Sequence, residues 1–463
     1  MLENRVKAER LMDDESVGLM VMIWVYRILM GLLLAAGACC CAVWPDKLNA
    51  TERIWLVIGH AVVLYLLQKI YRACEIGQSR VSELLVSQVL AEVIASGIIY
   101  LGAALYTHMF FQPMGLLALT CAQFVLNIGW TILANFLYFK RRRKPRTAVI
   151  CQCEEELNLL CRTPYFDEKY DLTQVIYQPE EDVRALRKQL EGCEVLFTIN
   201  IPSTFTNGIA KLCLEMGIKG YFTPRLGHII MAGAEHRANF SLPLFRVERA
   251  GGHSEYRAFK RIFDVVASAL AIIILSPLML LTALAIWLED HGPVFYRQVR
   301  LTRNGRRFKI LKFRSMTVNA EADGVARLAG ENDKRITKVG HLIRACRIDE
   351  LPQLFNIFLG DMSIVGPRPE RPEIAQQYEE LLPEFSLRLQ VKAGLTGLAQ
   401  VYGRYNTEPY YKLQMDLMYI NEMSLLKDLQ LMLATVRILF VKDSTQGVTQ
   451  GQETALNAPS KSA

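Results

Sequence analysis

The sequence predicts a membrane protein of mixed α and α/β class, and three observations carry that prediction. The hydrophobic fraction is 51% over 463 residues, high for a soluble chain. Four apolar stretches crowd into the first 145 residues, and short β-type runs alternating with helical ones follow them. The expected organisation is a four-helix transmembrane domain over 1–145, a Rossmann-like α/β domain over 147–250, a third domain over 254–445 and a polar tail over 446–463 that reads as disordered.

The four apolar stretches run from Met20 to Val43, Ile54 to Tyr71, Leu84 to Tyr106 and Leu116 to Phe139. A span needs about 20 apolar residues, which each stretch nearly or fully supplies. Lysines and arginines set the orientation. Arg5, Lys7, Arg10, Lys69, Arg72, Arg80 and the run from Lys140 to Arg146 fall on one side, against Lys47 and Arg53 on the other. Both ends of this domain are therefore expected in the cytoplasm. Arg27 and Glu92 interrupt the first and third spans, and intramembrane charge invites a functional reading. The favoured expectation is plainer: Arg27 reaches for the headgroups and Glu92 pairs with it, since no relay of further ionisable groups is visible. The first fifteen residues carry both signs of charge, with no small-residue cleavage site after a short apolar core, so no cleavable signal peptide is expected. The eleven cysteines lack paired or zinc-type spacing and read as reduced and structural.

In the middle region, β-type runs at 147–151, 172–177, 194–199 and 220–223 alternate with helical runs at 154–160, 180–190 and 205–216. This is a doubly wound pattern. A dinucleotide site needs glycines at the first strand-to-helix turn, so that backbone N–H groups approach a pyrophosphate. The turn here reads Cys151-Gln-Cys-Glu-Glu-Glu156. Three glutamates suit a helix N-terminus but repel phosphate, so a structural or interaction module without dinucleotide is expected.

The densest chemistry lies in the third domain. Residues 346–354 read Cys-Arg-Ile-Asp-Glu-Leu-Pro-Gln-Leu, with Lys309, Lys312 and Arg314 upstream and Arg368 downstream. An isolated Asp-Glu pair is commonly a solvated turn with ion-pair partners. Carboxylates set among cations can also hold a divalent ion against a diphosphate or attack phosphorus, while the cations neutralise oxyanions. The pattern points to a phosphorylated substrate. The formal charge of +7 does not redirect this to nucleic acid, because the basic residues sit beside apolar segments and around Asp349-Glu350, with no aromatic-basic stripe.

From Tyr256 to about Lys442 the chain resembles the bacterial sugar transferase family, the monotopic phosphoglycosyl transferases that load a phosphosugar onto polyprenyl phosphate. Seven segments match in the family's order. Lys260-Arg-Ile-Phe-Asp264-Val opens an apolar helix that contains Ser276-Pro277, and Gly292-Pro-Val-Phe-Tyr-Arg-Gln298 follows it. Lys312-Phe-Arg-Ser-Met comes next, then Asp349-Glu-Leu-Pro-Gln-Leu354 and Gly360-Asp-Met-Ser-Ile-Val-Gly-Pro-Arg-Pro369. Gly394-Leu-Thr-Gly-Leu-Ala-Gln-Val401 completes the series. The chain departs at Ala393, where the family usually has proline, and at Tyr402-Gly-Arg404-Tyr405, where Asn-Gly-Arg-Asn is common.

The resemblance implies a two-step transfer at the bacterial inner membrane that initiates exopolysaccharide, capsule or O-antigen repeat units. Asp349 would attack the β-phosphorus of a UDP-sugar, with glucose or galactose expected, and undecaprenyl phosphate would then take the phosphosugar. Glu350 would hold Mg²⁺, and Lys312, Arg314, Arg344, Arg368 and Arg404 would contact phosphate, with Thr396, Gly397 and Gln400 as weaker candidates. A homo-oligomer is compatible with this. Two alternatives stay open: a lipid glycosyltransferase releasing UDP, and a membrane scaffold with a decayed catalytic domain.

Ile262 to Leu288 is 27 residues broken only by Asp264, long enough to cross. A crossing would put the catalytic residues outside, away from cytoplasmic nucleotide-sugars, whereas the basic flanks Lys260-Arg261 and Arg297 to Arg300 favour one side. Proline at the midpoint removes a backbone hydrogen bond and kinks a helix. A re-entrant helix is therefore expected, with the Ser276 hydroxyl serving a freed carbonyl. Leu351, Leu354, Phe355 and Phe358 recur at helical spacing, so one face is expected in the headgroup layer. Lys427 to Val441 suits another membrane-associated helix.

Overall fold

A computed structural model describes residues 20–37, 44, 47–77, 79–161, 163, 165–177, 183–237, 244–249, 254–318, 333, 335–403 and 408–438. Arg404 and the 446–463 tail lie outside the described residues, as does the end of the first apolar stretch. The chain divides into two compact units between Arg225 and Leu226, ahead of the boundary near 250 read from the sequence.

The first unit opens with four helices: α1 (Met20–Gly37), α2 (Ala50–Ile70), α3 (Val81–Thr107) and α4 (Met114–Arg141). Each is long and apolar enough to cross a membrane, judged by length and composition. Glu52 caps the start of α2 by accepting from the Asn49 N–H at 2.8 Å. The expected Arg27–Glu92 pair does not form. The Arg27 guanidinium lies over the Trp24 and Tyr65 rings, at 5.5 and 4.8 Å from their centroids. Glu92 instead accepts from the Asn127 amide, and Asn127 Oδ1 accepts from Tyr26 at 2.6 Å, whose hydroxyl accepts from Gln68 at 3.0 Å. The Asn127 amide serves one oxygen of the carboxylate, in a chain of neutral groups that spans all four helices, while the cation is drawn to the aromatic face.

The same unit continues with β1 (Arg146–Cys151), α5 (Glu154–Cys161), α6 (Phe166–Lys169), β2 (Asp171–Tyr177), α7 (Val183–Gln189), β3 (Val195–Thr198), α8 (Ser203–Met216) and β4 (Lys219–Phe222). The strands form one parallel sheet in the order β2-β1-β3-β4. Residues of β1 alternate between two cores: Ala148 and Ile150 pack with Leu196 and Ile209, while Val149 and Cys151 pack with Leu157 and Val175. Burial on both faces is what a central parallel strand requires. The short α6 was absent from the sequence reading, because four residues give no measurable period; the buried Phe166 ring, packed on Tyr170 and Phe197, holds it.

The second unit contains α9 (Leu226–Ala232), β5 (Glu235–Arg237), β6 (Leu244–Arg246), α10 (Ser254–Asp290), β7 (Phe295–Leu301) and β8 (Arg307–Phe313). It continues with α11 (Lys338–Ala345), α12 (Gln353–Leu359), β9 (Ser363–Val365), α13 (Pro372–Leu381), β10 (Gly394–Thr396), α14 (Leu398–Tyr402), α15 (Pro409–Asn421) and α16 (Leu425–Ile438). Its core joins Phe308 and Ile310 of β8, Leu354 and Ile357 of α12, Ile364 of β9, and Leu413 and Leu417 of α15.

The helix α10 runs for 37 residues with Pro277 inside it, about 55 Å at 1.5 Å per residue. Pro277 has no N–H, which leaves the carbonyl of Ile273, four residues back, without its helical donor. The Ser276 hydroxyl donates to that carbonyl at 2.8 Å, as expected. Three polar anchors fix the N-terminal half of α10 to the unit. Arg261 donates to the carbonyls of Ile357 and Phe358 at 2.7 and 2.8 Å, capping the end of α12. Buried Asp264 accepts from the Ser363 hydroxyl and the Ile364 N–H at 2.8 and 3.1 Å. Lys260 pairs with Asp428 of α16.

One expectation about a membrane-facing surface is corrected. On α12, Leu354 and Ile357 are buried, and the exposed apolar residues are Phe355, Phe358 and Leu359; the amide of Asn356 binds both Leu311 N–H and the Lys309 carbonyl at 2.9 Å, turning Leu354 inward against β8. On α16, Leu431 and Ala434 join the core, leaving Leu425, Leu426 and Leu429 exposed.

Candidate active site

The hairpin β7–β8 pairs antiparallel, with Tyr296 opposite Lys312. Alternation puts Phe308, Ile310 and Lys312 on one face of β8; the first two enter the core and Lys312 emerges at its edge. Opposite it lies the chain reversal between α11 and α12. Thr337 caps α11 by accepting from the Gly340 N–H at 3.0 Å, and α11 delivers Arg344 in its last turn. Arg347 then adopts the left-handed region, φ 53°, which a non-glycine residue enters at a cost of roughly 1–2 kcal/mol. That reversal places Ile348–Glu350 in a single 3₁₀ turn beside Lys312.

The turn presents its two carboxylates differently. Glu350 Oε1 lies 2.8 Å from Lys312 Nζ and 3.5 Å from Arg368 Nη2, and Oε2 lies 4.0 Å from Arg347 Nη1. These cations hold Glu350 well below the usual carboxylate range against the opposing effect of burial. Asp349 makes no hydrogen bond or ion pair among the described residues. Burial first, and the charge of Glu350 second, push its carboxyl up, while Lys312, Arg344 and Arg347 pull it down. The pair is thus split into a clamped, ionised glutamate and an unclamped aspartate, the arrangement that separates two roles.

Arg368 arrives from the far side. After β9 the chain packs backbone to backbone against the start of β10: a Cβ on Gly394 would stand 2.1 Å from Gly366 N, so only glycine permits this approach. The following loop is pinned by Arg388 Nη2 on the Arg368 carbonyl at 2.9 Å, Arg300 Nη1 on the Pro369 carbonyl at 3.2 Å and Leu301 N on the Glu370 carbonyl at 3.0 Å.

Of the residues singled out from the sequence, Asp349, Glu350, Lys312, Arg344 and Arg368 come together. Arg344 acts on Asp349 through its charge without a direct hydrogen bond. Arg314 is placed elsewhere: it is buried, ion-paired with Asp290 at the end of α10, and packed so closely on Gly292 that a Cβ there would clash with it. Ser276 and Pro277 lie within α10. Arg347 pairs with Glu350 and is also the residue at which the chain reverses into the turn. Arg388 and Asp416, a buried pair at 2.8 Å, were missed; a buried charge pair far apart in sequence leaves no local signal.

A magnesium ion takes one or two carboxylates and completes its shell with water and phosphate oxygens. Among the described residues no group of three or more acidic, histidine or cysteine side chains gathers, but Glu350 Oε2 has only a guanidinium 4.0 Å away. The donor set fits an ion held by one protein carboxylate and a substrate phosphate.

Residues 255–442 match the model of the bacterial sugar transferase family. A UDP-glucose:undecaprenyl-phosphate glucose-1-phosphate transferase of Caulobacter vibrioides is 45% identical over 190 residues, 40% of this chain and 71% of the relative. The exopolysaccharide production protein PSS of Rhizobium leguminosarum bv. phaseoli is 39% identical over 197 residues, 41% of this chain and 96% of the relative. A UDP-glucose:undecaprenyl-phosphate glucose-1-phosphate transferase of Klebsiella pneumoniae is 43% identical over 191 residues, and the match spans 40% of this chain and 41% of that relative.

Proposed function

The chain belongs to the bacterial sugar transferase family, and from that premise we propose that it transfers a hexose 1-phosphate from a UDP-sugar to undecaprenyl phosphate in the bacterial inner membrane. The observation that carries this reading is the split carboxylate pair: Glu350 clamped by Lys312, Arg368 and Arg347, and Asp349 beside it without a hydrogen bond or ion pair among the described residues. The Caulobacter and Klebsiella relatives are UDP-glucose transferases by name, so UDP-glucose is the first donor to test. The product would open an exopolysaccharide, capsule or O-antigen repeat unit.

In the mechanism, an Asp349 carboxylate oxygen attacks the β-phosphorus of the UDP-sugar, and the bond to the bridging oxygen breaks so that UMP leaves with the electron pair. The phosphosugar stays on Asp349 as an acyl phosphate. An oxygen of undecaprenyl phosphate then attacks the same phosphorus and Asp349 departs as carboxylate. A carboxylate approaching a phosphate meets repulsion, so the positive charges of Lys312, Arg344 and Arg368 are needed to neutralise the phosphoryl oxygens. Glu350 would hold Mg²⁺, which supplies Lewis-acid neutralisation of the diphosphate when bound. Glu350 itself keeps Lys312 and Arg368 fixed around the turn.

The re-entrant form of α10 belongs to this reading, as does a catalytic domain over 254–445 on the cytoplasmic face of a four-span N-terminal domain. Support comes from Pro277, from the Ser276 bond that satisfies its orphaned carbonyl, and from the basic flanks of the helix. Cysteines placed at Lys140 and Asn304 should be labelled from the same, cytoplasmic side, and periplasmic labelling at 304 would overturn the re-entrant form. Replacing Ser276-Pro277 by Leu-Leu should favour a crossing and abolish activity. The middle sheet is proposed to act without dinucleotide. The decisive test of the activity is the nucleotide released: UMP with UDP-glucose and lipid acceptor supports phosphosugar transfer, and UDP refutes it.

A further inference from the structure

Behind Arg368 lies a charged cluster that the proposed chemistry does not use. Buried Asp416 on α15 is ion-paired with Arg388 at 2.8 Å, and Arg388 reaches Glu370 at 3.5 Å and the Arg368 carbonyl at 2.9 Å. Arg388 is 3% exposed, so one guanidinium occupies both carboxylates and holds the backbone of Arg368. Lys412 stands one helical turn before Asp416 on α15. It is half-buried, and its ammonium makes no hydrogen bond or ion pair among the described residues. Arg300 adds a further cation close to Glu370. Four cations therefore face three carboxylates once the Glu350 held by Arg368 is counted, and Arg388 engages two of them.

An ammonium drawn out of water without a close counter-charge is costly. Burial lowers the Lys412 pKa, and only Glu370 and Asp416 oppose that against the further lowering by Arg388 and Arg368. The surplus positive charge opens to solvent at Arg368, whose side chain is 41% exposed and whose guanidinium also touches Glu350. Sites of this kind attract an anion, and here the anion would sit next to the reacting phosphorus rather than on it.

We propose that Lys412 and Arg368 form a second phosphate subsite, which binds the phosphate monoester that is not under attack. Two reaction components carry that group: the departing nucleoside monophosphate and the incoming prenyl phosphate. The inference rests on the phosphosugar-transfer reading, since only a reaction joining two phosphates needs two adjacent anion sites. Arg388 and Asp416 act through Arg368 by fixing its main chain, so they are positioning residues.

The test uses the full chain in nanodiscs, with UMP and farnesyl phosphate as calorimetric probes. Lys412→Gln is expected to weaken one of the two by about tenfold, the scale of one charge-assisted hydrogen bond. It should raise KM for the matching substrate more than it lowers kcat. The affected probe identifies the source: UMP marks the leaving-group side, farnesyl phosphate the lipid side. Lys412→Arg should largely restore affinity. Lys427→Gln, which removes a partly exposed cation paired with Glu422, should change neither. The Lys412 ammonium makes no hydrogen bond or ion pair among the described residues and acts on Glu370 through charge alone, so its replacement should leave the fold intact in a thermal melt. Unchanged affinity for both probes in a Lys412→Gln protein that still releases UMP would overturn the subsite alone. A wild-type protein that releases no UMP from any UDP-sugar would overturn the reading beneath it, and the subsite with it.

Discussion

Two glutamates, each at a turn of its own unit, show how similar local geometry leads to opposite chemistry. Glu156 stands in the first turn after β1, where a dinucleotide-binding sheet would cradle phosphate. Its Oε2 accepts from the Gln152 backbone N–H and its Oε1 from the Asn200 amide, both at 2.9 Å. The anion-binding donor of that turn is consumed by the protein's own carboxylate, and both of its hydrogen-bond donors are neutral. Glu350 stands in the turn after α11 and is held by Lys312, Arg368 and Arg347. A carboxylate bound by neutral donors closes a site to phosphate. A carboxylate bound by cations keeps positive charge fixed in place for one, since each cation can turn part of its field to an incoming oxyanion.

The comparison is broken most directly at Asp349, the unclamped neighbour that has no counterpart in the middle unit. Asp349→Asn should lower UMP release with UDP-glucose and lipid by at least about 10⁴-fold, because a neutral amide cannot displace UMP. Retention of a tenth of the activity would remove it as nucleophile. Glu350→Gln comes next. It should cost about 10²–10³-fold in kcat, with membrane insertion intact, and EDTA on the wild type should mimic it; near-normal turnover in either case would detach Glu350 from a metal.

Lys312→Met sharpens the comparison through pH. Asp349 attacks only when ionised, so activity rises as pH climbs through its pKa. Burial and Glu350 raise that pKa, and Lys312, Arg344 and Arg347 lower it. Removing Lys312 should therefore move the acid limb of kcat/KM to higher pH and reduce the plateau about 10–100-fold, the range for a lost charge-assisted contact. An acid limb that stays in place would contradict the electrostatic account.

The smallest effect belongs to the middle unit. Glu156→Gln keeps one acceptor and should cost about 1 kcal/mol of stability in a thermal melt, with transfer activity unchanged. Calorimetry on the full chain should show no binding of NAD or coenzyme A. Micromolar affinity for either would overturn the closed reading of that turn.

Much of this contrast was legible in the sequence because it rests on local pattern. Short β-type runs alternating with helical ones pointed to the parallel sheet, with strand limits agreeing to within a residue or two, and the turn at Cys151–Glu156 carries no glycine to cradle a phosphate. Ser276 beside Pro277 announced its own hydrogen bond, since the donor adjoins the residue that orphans the acceptor. Contacts between distant segments were not legible in the same way. Arg314 lies two residues from Lys312 and would share its face if the strand ran on, yet β8 ends at Phe313 and Arg314, packed on Gly292, pairs with Asp290. Arg27 and Glu92 carry opposite charges but found aromatic rings and an amide instead. Arg388 and Asp416 are 28 positions apart, and their pairing needed the packing of α15.

The central claim is a covalent step on Asp349, and intact-protein mass spectrometry during a single incubation tests it most directly. With UDP-glucose and Mg²⁺ but no lipid acceptor, the protein should release at most one UMP per site and gain the mass of a phosphohexose, mapped by digestion to the peptide containing Asp349. Adding undecaprenyl phosphate should then remove that mass. Full turnover with lipid, but neither a UMP burst nor a mass gain without it, would contradict the account and make the lipid phosphate the direct attacking group.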